Sequence, residues 1–122
     1  MKAFKGQSPI TMRYWRRPIK SRPDLCRLMA VVYCRETQKR FYFNLPGFFE
    51  PSKLDKLDNC GRVINPKDYD IPTFNRIFKW GFYAAAGIVE LEQSGVPVKE
   101  FTKKKLDEAI NKSLREGGYE LQ

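Results

Sequence analysis

The segment Ile10-Thr11-Met12-Arg13-Tyr14-Trp15-Arg16 alternates, with Ile10, Met12 and Tyr14 on one side and Thr11, Arg13 and Trp15 on the other. A period of two predicts a half-buried β-strand. Pro18 and Pro23 then bracket a basic loop that holds Lys20 and Arg22. Arg27 to Arg35 (RLMAVVYCR), rich in β-branched and apolar residues, predicts a second strand. Lys39 to Leu45 (KRFYFNL) predicts a third, ended by Pro46-Gly47. The link Glu36-Thr37-Gln38-Lys39 is short enough only for a hairpin.

Taking Thr37 and Gln38 as the turn residues places Arg35 opposite Arg40. Cys34 then faces Phe41, Tyr33 faces Tyr42, Val32 faces Phe43 and Val31 faces Asn44. One side collects Leu28, Ala30, Val32 and Cys34 with Phe41, Phe43 and Leu45, which is a core. The other collects Arg27, Val31, Tyr33 and Arg35 with Arg40, Tyr42 and Asn44. A one-residue slip would mix the two sets, so this pairing is favoured. Two arginines directly opposite repel unless an anion lies between them.

Residues 46–72 read mostly as loop, with Phe48, Phe49, Leu54, Leu57 and Val63 expected inward. A long helix is predicted from Pro72 to about Ser94, with Pro72 in its first turn and Gly95 as its stop. Phe74, Ile77, Phe78, Gly81, Ala85, Ile88 and Leu91 form the expected inward stripe, and Gly81 with Ala84-Ala85-Ala86 allows close approach. Thr102 can cap a second helix from Lys103 to about Leu114, with Leu106 and Ile110 inward. The fold class is therefore α+β: a three-stranded antiparallel sheet packed on one long helix, with a second short C-terminal helix. The expected divisions are a flexible basic arm over 1–9, the sheet-and-helix domain over 10–95, and a short helix and tail over 96–122. A helical lid covers one side of a sheet only. The bare side presents Arg27, Tyr33, Arg35, Arg40, Tyr42 and Asn44, joined by Arg13, Trp15 and Arg17.

Composition narrows the chemistry. The chain has 122 residues, 42% of them hydrophobic, enough for one modest core. No apolar run approaches a membrane span, and Met1 to Gly6 leads into no signal-peptide core. Histidine is absent, which removes the commonest general base and the commonest metal ligand. Cys26, Cys34 and Cys60 form no CxxC pair, and the odd count suits reduced thiols in the cytoplasm. Asp55, Asp58, Asp68 and Asp70 lie in no calcium-loop spacing. No enzyme activity, cofactor, metal or small-molecule substrate is expected.

Charge changes the picture most. Lys plus Arg is 23 against 14 Asp plus Glu, a net +9. Residues 1–45 hold eleven of the bases, most of them arginine, and only two acids, Asp24 and Glu36. The twelve bases and twelve acids of the remainder cancel. A one-sided excess makes a field that a polyanion can sense. Arginine's planar fork suits phosphates and guanine edges.

The order of these pieces resembles the amino-terminal arm-type DNA-binding domain of tyrosine recombinases, the phage and conjugative-transposon integrases. The matching parts are the first strand (ITMRYWRR), the basic loop, the hairpin (RLMAVVYCRETQKRFYFNL) and the Pro-containing segment closing on Gly-Arg-Val (EPSKLDKLDNCGRV). They continue with TFNRIF, VELEQSGVPV and FTKKKLDEAINKSL, covering residues 8–114. The chain departs from the family pattern in its hairpin turn, which lacks Asn-Gly, and in having Leu54 where a Trp is common. The resemblance implies a non-catalytic module that lays its bare sheet face in the major groove of double-stranded DNA at arm-type sites, beside other integrase subunits. It carries over to Arg13 and Trp15, to Arg27, Tyr33 and Arg35, and to Lys39, Arg40, Tyr42 and Asn44. The recombinase's Arg/Lys/His/Arg/His/Tyr set belongs to a separate domain that this chain does not contain.

Physics supplies the same division of labour. Arginines can engage guanine O6 and N7, Asn44 can pair with adenine, and Tyr or Trp can pack on sugars or thymine methyls. Lys20 and Arg22 in the loop, and Lys39 and Arg40 at the hairpin tip, are placed for phosphates. Other readings stay open. Trp15 and Tyr42 could cover a core edge or a dimer contact, and Asn44 could simply end its strand. Lys103-Lys104-Lys105 reads as a solvated helix face. Two rival functions are an RNA or single-strand binder stacking bases on Trp15, Tyr33 and Tyr42, and a protein-interaction module.

Overall fold

A computed structural model describes residues 9–119. The basic arm expected over 1–9 therefore lies, apart from Pro9, outside the described residues. Strands β1 (Ile10–Pro18), β2 (Cys26–Cys34) and β3 (Lys39–Asn44) form one antiparallel sheet in that spatial order. They are followed by a single turn, α1 (Pro51–Leu54), the long helix α2 (Ile71–Gln93), a 3-10 turn (Val98–Glu100) and α3 (Lys103–Glu116). The fold class is α+β as read from the pattern.

The hairpin register differs from expectation by two residues. Tyr33 pairs with Arg40, Val32 with Phe41, Val31 with Tyr42, Ala30 with Phe43 and Met29 with Asn44. Residues 35–38 form the loop, in which the Gln38 N–H donates to the Cys34 carbonyl (2.8 Å) and Gln38 takes φ 60°. A two-residue shift leaves every paired strand residue on its expected face, because side chains alternate with a period of two, but puts Arg35 in the loop. It does remove the opposed Arg35–Arg40 pair. Arg40 lies instead over the Tyr33 ring, 4.9 Å from its centroid.

Leu28, Ala30, Val32, Cys34, Phe43 and Leu45 are buried on the helix side, with Phe41 partly so. Cys34 is an ordinary core thiol whose pKa burial pushes up. Between β3 and α2, Phe49, Leu54 and Leu57 are buried and Val63 packs on the core. Phe48 does not turn inward: it is 51% exposed, under the Arg27 guanidinium. Arg76 occupies that corner instead, 3.7 Å from the Phe49 ring centroid and donating to the Pro46 and Phe48 carbonyls.

Helix α2 is capped by Asp70, whose Oδ2 accepts from the Thr73 amide (3.0 Å) and hydroxyl (2.6 Å). Its buried side is Thr73, Ile77, Trp80, Ala84, Gly87 and Ile88. The expected stripe is thus rotated: Phe78 is 57% exposed and Ala85 is exposed, while Trp80 is 2% exposed. Apolar residues encircle much of α2, so hydrophobicity alone does not choose its inward side. Gly81 does allow close approach, giving room to the Tyr14 hydroxyl.

Thr102 caps α3 by accepting from the Lys105 amide (3.2 Å). Leu106, Ile110 and Leu114 join Phe101 and Val98 in the same core as the sheet. The helices meet at Gly87, where a Cβ would lie 2.6 Å from the Ala109 carbonyl oxygen. Gly87→Ala would gain about 1 kcal/mol of helix propensity yet suffer an overpacking cost of about 1–3 kcal/mol, since helix backbone cannot swing aside. A lowered urea midpoint is expected, unlike the rise that Gly→Ala gives at an open helical site.

Candidate nucleic-acid interface

The sheet face turned away from the helices is laid out by the strand pairing. Across it run the rows Thr11–Tyr33–Arg40, Arg13–Val31–Tyr42 and Trp15–Met29–Asn44, then Arg17 opposite Arg27. Arg13, Arg17, Arg40 and Asn44 are exposed, Trp15 and Tyr42 are 58% and 45% exposed, and Tyr33 and Arg27 are half-buried. Val31, at the centre, is only 6% exposed. None of these residues is acidic.

The carboxylates stand elsewhere. Ion pairs join Arg16 to Asp55 (2.7 Å), Lys56 to Asp68 (2.8 Å), Arg62 to Asp58 (3.1 Å) and Lys103 to Asp107 (3.2 Å). Among the described residues no carboxylate pairs with Arg13, Arg17, Arg27, Lys39 or Arg40. The folded chain thus segregates its neutralised bases from the sheet face. Arg17 directly opposite Arg27 is the cross-strand repulsion that an anion would relieve. Arg27 partly escapes it by leaning over Phe48, 5.2 Å from the ring centroid.

The candidates outside these rows separate. Arg22 is held by a two-pronged contact with Asp24 (3.1 and 2.9 Å), which draws the Asp24 carboxyl below its ordinary range. Much of its charge is therefore spent within the loop. Lys20 is exposed in that loop. Lys39 is exposed at the hairpin end but shares the strand parity of Phe41 and Phe43, so it points to the helix side of the tip. Arg35 lies in the exposed hairpin loop, its amide donating to the Pro9 carbonyl (2.9 Å).

One neighbour was not foreseen. Lys103, read from sequence as solvated, reaches back over the Phe43 ring, 4.9 Å from its centroid. It helps line a cleft of about 430 Å³ together with Arg27, Tyr42, Asn44, Asp107 and Asn111. The lysine run was visible in the chain, but only the α3–β3 contact shows that Lys103 packs on the helix side of β3, where Asp107 pairs with it.

Tyr14 marks the opposite side of β1. Its ring is packed between the sheet and α2, and its hydroxyl donates to the Met12 Sδ (3.6 Å). Burial first, then the neighbouring Cys60 and Tyr119, push its pKa up to about 12. The folded state therefore holds this proton more tightly than the unfolded chain, so the associated stability is complete below pH 10 and lost between pH 10 and about 12. Tyr14→Phe should flatten the alkaline limb of a stability–pH curve, by on the order of 2 kcal/mol at its upper end. A limb unchanged by the substitution would assign alkaline unfolding to other groups.

No group of three or more potential metal ligands occurs among the described residues. No helix among them is long and apolar enough to cross a membrane. Comparison with known protein families, curated proteins and solved structures returns no match for this chain.

Proposed function

We propose that the chain is a double-stranded DNA-binding module that lays the open face of its sheet in the major groove, as an arm-type domain of an integrase does. The observation that carries this reading is a carboxylate-free sheet face with Arg13, Arg17 and Arg40 exposed on it. Three strands span about 10 Å between their outer axes, which suits a major groove of about 12 Å. Arg13, Trp15, Tyr42 and Asn44 stand in the middle rows, where base edges would lie. Arg17, Lys20 and Arg40 stand at the rim, where phosphates would lie. Association with other integrase subunits, a role in DNA integration and recombination, and the cytoplasmic setting of such proteins belong to the same proposal.

The single-strand and RNA reading needs free stacking platforms. The Arg40 guanidinium over Tyr33 takes one of the three proposed rings, which weighs towards duplex. The deciding experiment titrates a random-sequence duplex, a single strand and an RNA hairpin against the chain at one fixed ionic strength. Duplex selection from a random pool then follows. Preferred duplex binding with an enriched sequence is expected. Equal affinity for all three, with nothing enriched, would reduce the face to a non-specific polyanion contact.

A further inference from the structure

The sheet and α3 occupy one side of α2. The other side carries Ile71, Phe74, Phe78, Phe82, Ala85 and Val89, spaced by three and four residues along the helix. Ile71, Phe78, Phe82 and Val89 are 50–58% exposed. The rings of Phe74, Phe78 and Phe82 stack in sequence, with centroids 5.7 and 6.3 Å apart and planes 20° and 24° from parallel. Beside them a groove of about 530 Å³ runs between α2 and β1, floored by Met12, Gly61 and Val63. No base or acid interrupts the stripe itself.

Size and shape favour a second copy of this chain as the occupant. Aromatic side chains carry about 150–250 Å² each, so the four most exposed residues alone leave roughly 400 Å² of apolar surface. That lies within the roughly 300–600 Å² of the largest patch on a typical monomer, a size often functional. Doubled by a two-fold axis and extended by the groove rim, it approaches the roughly 1,000 Å² that a specific interface needs. The stripe is also asymmetric in bulk, with phenylalanines at 74, 78 and 82 and the smaller Ala85 and Val89 after them. Only an antiparallel pairing sets large against small. With the axis between Phe82 and Ala85, each Phe82 meets the other copy's Ala85 and each Phe78 meets Val89. The same pairing brings the Lys79 turn of one copy beside the Glu90 turn of the other and opposes the two helix dipoles. A two-fold interface of this kind is closed and self-complementary.

We infer that the chain forms a two-fold homodimer through antiparallel packing of α2, with the open sheet faces left free. The interface is independent of the DNA-binding reading, because the stripe and the sheet face lie on different sides of the domain. Sedimentation equilibrium of the full chain across the micromolar range tests it. The expected mass is twice the 14.3 kDa chain at high concentration. Phe82→Glu should return a monomer at least tenfold beyond the wild-type dissociation midpoint, with an unchanged circular-dichroism spectrum. Ala85→Glu provides a second, smaller perturbation with the same expectation. A wild-type chain monomeric throughout the range would overturn the inference and leave the stripe to a different partner. A dimer that survives both substitutions would overturn the α2 assignment, and a ladder of larger species would overturn the closed geometry.

Discussion

Replacing Arg13, Arg17 and Arg40 together with alanine should weaken duplex affinity roughly 100- to 1,000-fold near physiological salt, each contact contributing about 1 kcal/mol, the low end of the range for such contacts. The slope of log affinity against log salt should fall by up to about 3 as released counterions are lost. All three side chains are exposed and without a carboxylate partner among the described residues, so the melting midpoint should stay nearly constant. The informative control removes three other exposed cations: Lys56, Arg62 and Lys112, each in an ion pair away from the sheet face. Both variants lose the same charge. Placement predicts a large effect for the first and a small one for the second. Equal losses would show that net charge alone drives binding, and anisotropy titrations at several salt concentrations would reveal it.

The largest effect on stability is expected at Trp80. It is 2% exposed, and Trp80→Ala should cost about 3–5 kcal/mol through lost burial and the cavity left behind. In a domain whose total stability is about 5–15 kcal/mol, that is a large share. The thermal midpoint should fall by more than about 10 °C. Phe78 is the same kind of residue on the same helix, two positions earlier, but is 57% exposed. Phe78→Ala, compared at a concentration below the dimer's dissociation midpoint, should cost about 1 kcal/mol or less, the loss of its stacking on Phe74 and Phe82. Midpoints that moved equally would mean α2 is rotated relative to this structure.

That contrast also shows where the sequence is readable. The strands announce themselves because one face meets oil and the other water, and a period of two survives in the letters at Ile10–Arg16 and Arg27–Arg35. Their register is less visible. Pairings two residues apart present the same faces, so the pattern cannot choose between Arg40 opposite Arg35 and Arg40 opposite Tyr33. The deciding feature is the loop at 35–38 with Gln38 in the left-handed region, where no glycine advertises the turn. The shift moves Arg35 off the strand into the hairpin loop, while the residues that remain on the strands keep their faces because side-chain facing depends on parity alone.

The helix was harder. Its length is bounded by Asp70, Pro72 and Gly95, and those signals are local. Its rotation is not local. Two apolar sides compete, and the winner is fixed by α3 approaching at Gly87, more than twenty residues later in the chain. The same long-range packing explains why Lys103 beside Phe43 could not be anticipated from a lysine run.

A last consequence concerns the outer margin of β1. The Tyr14 amide donates to the Asn59 carbonyl (2.8 Å), and Arg16 is tied to Asp55 (2.7 Å), so the 55–63 segment is buttoned along that strand. An intruding peptide that tried to lengthen the ribbon there would first have to unfasten both attachments. Edge-on polymerisation past β1 is thereby obstructed, and the arginine-bearing strands can be held at high concentration without templating fibres from that side.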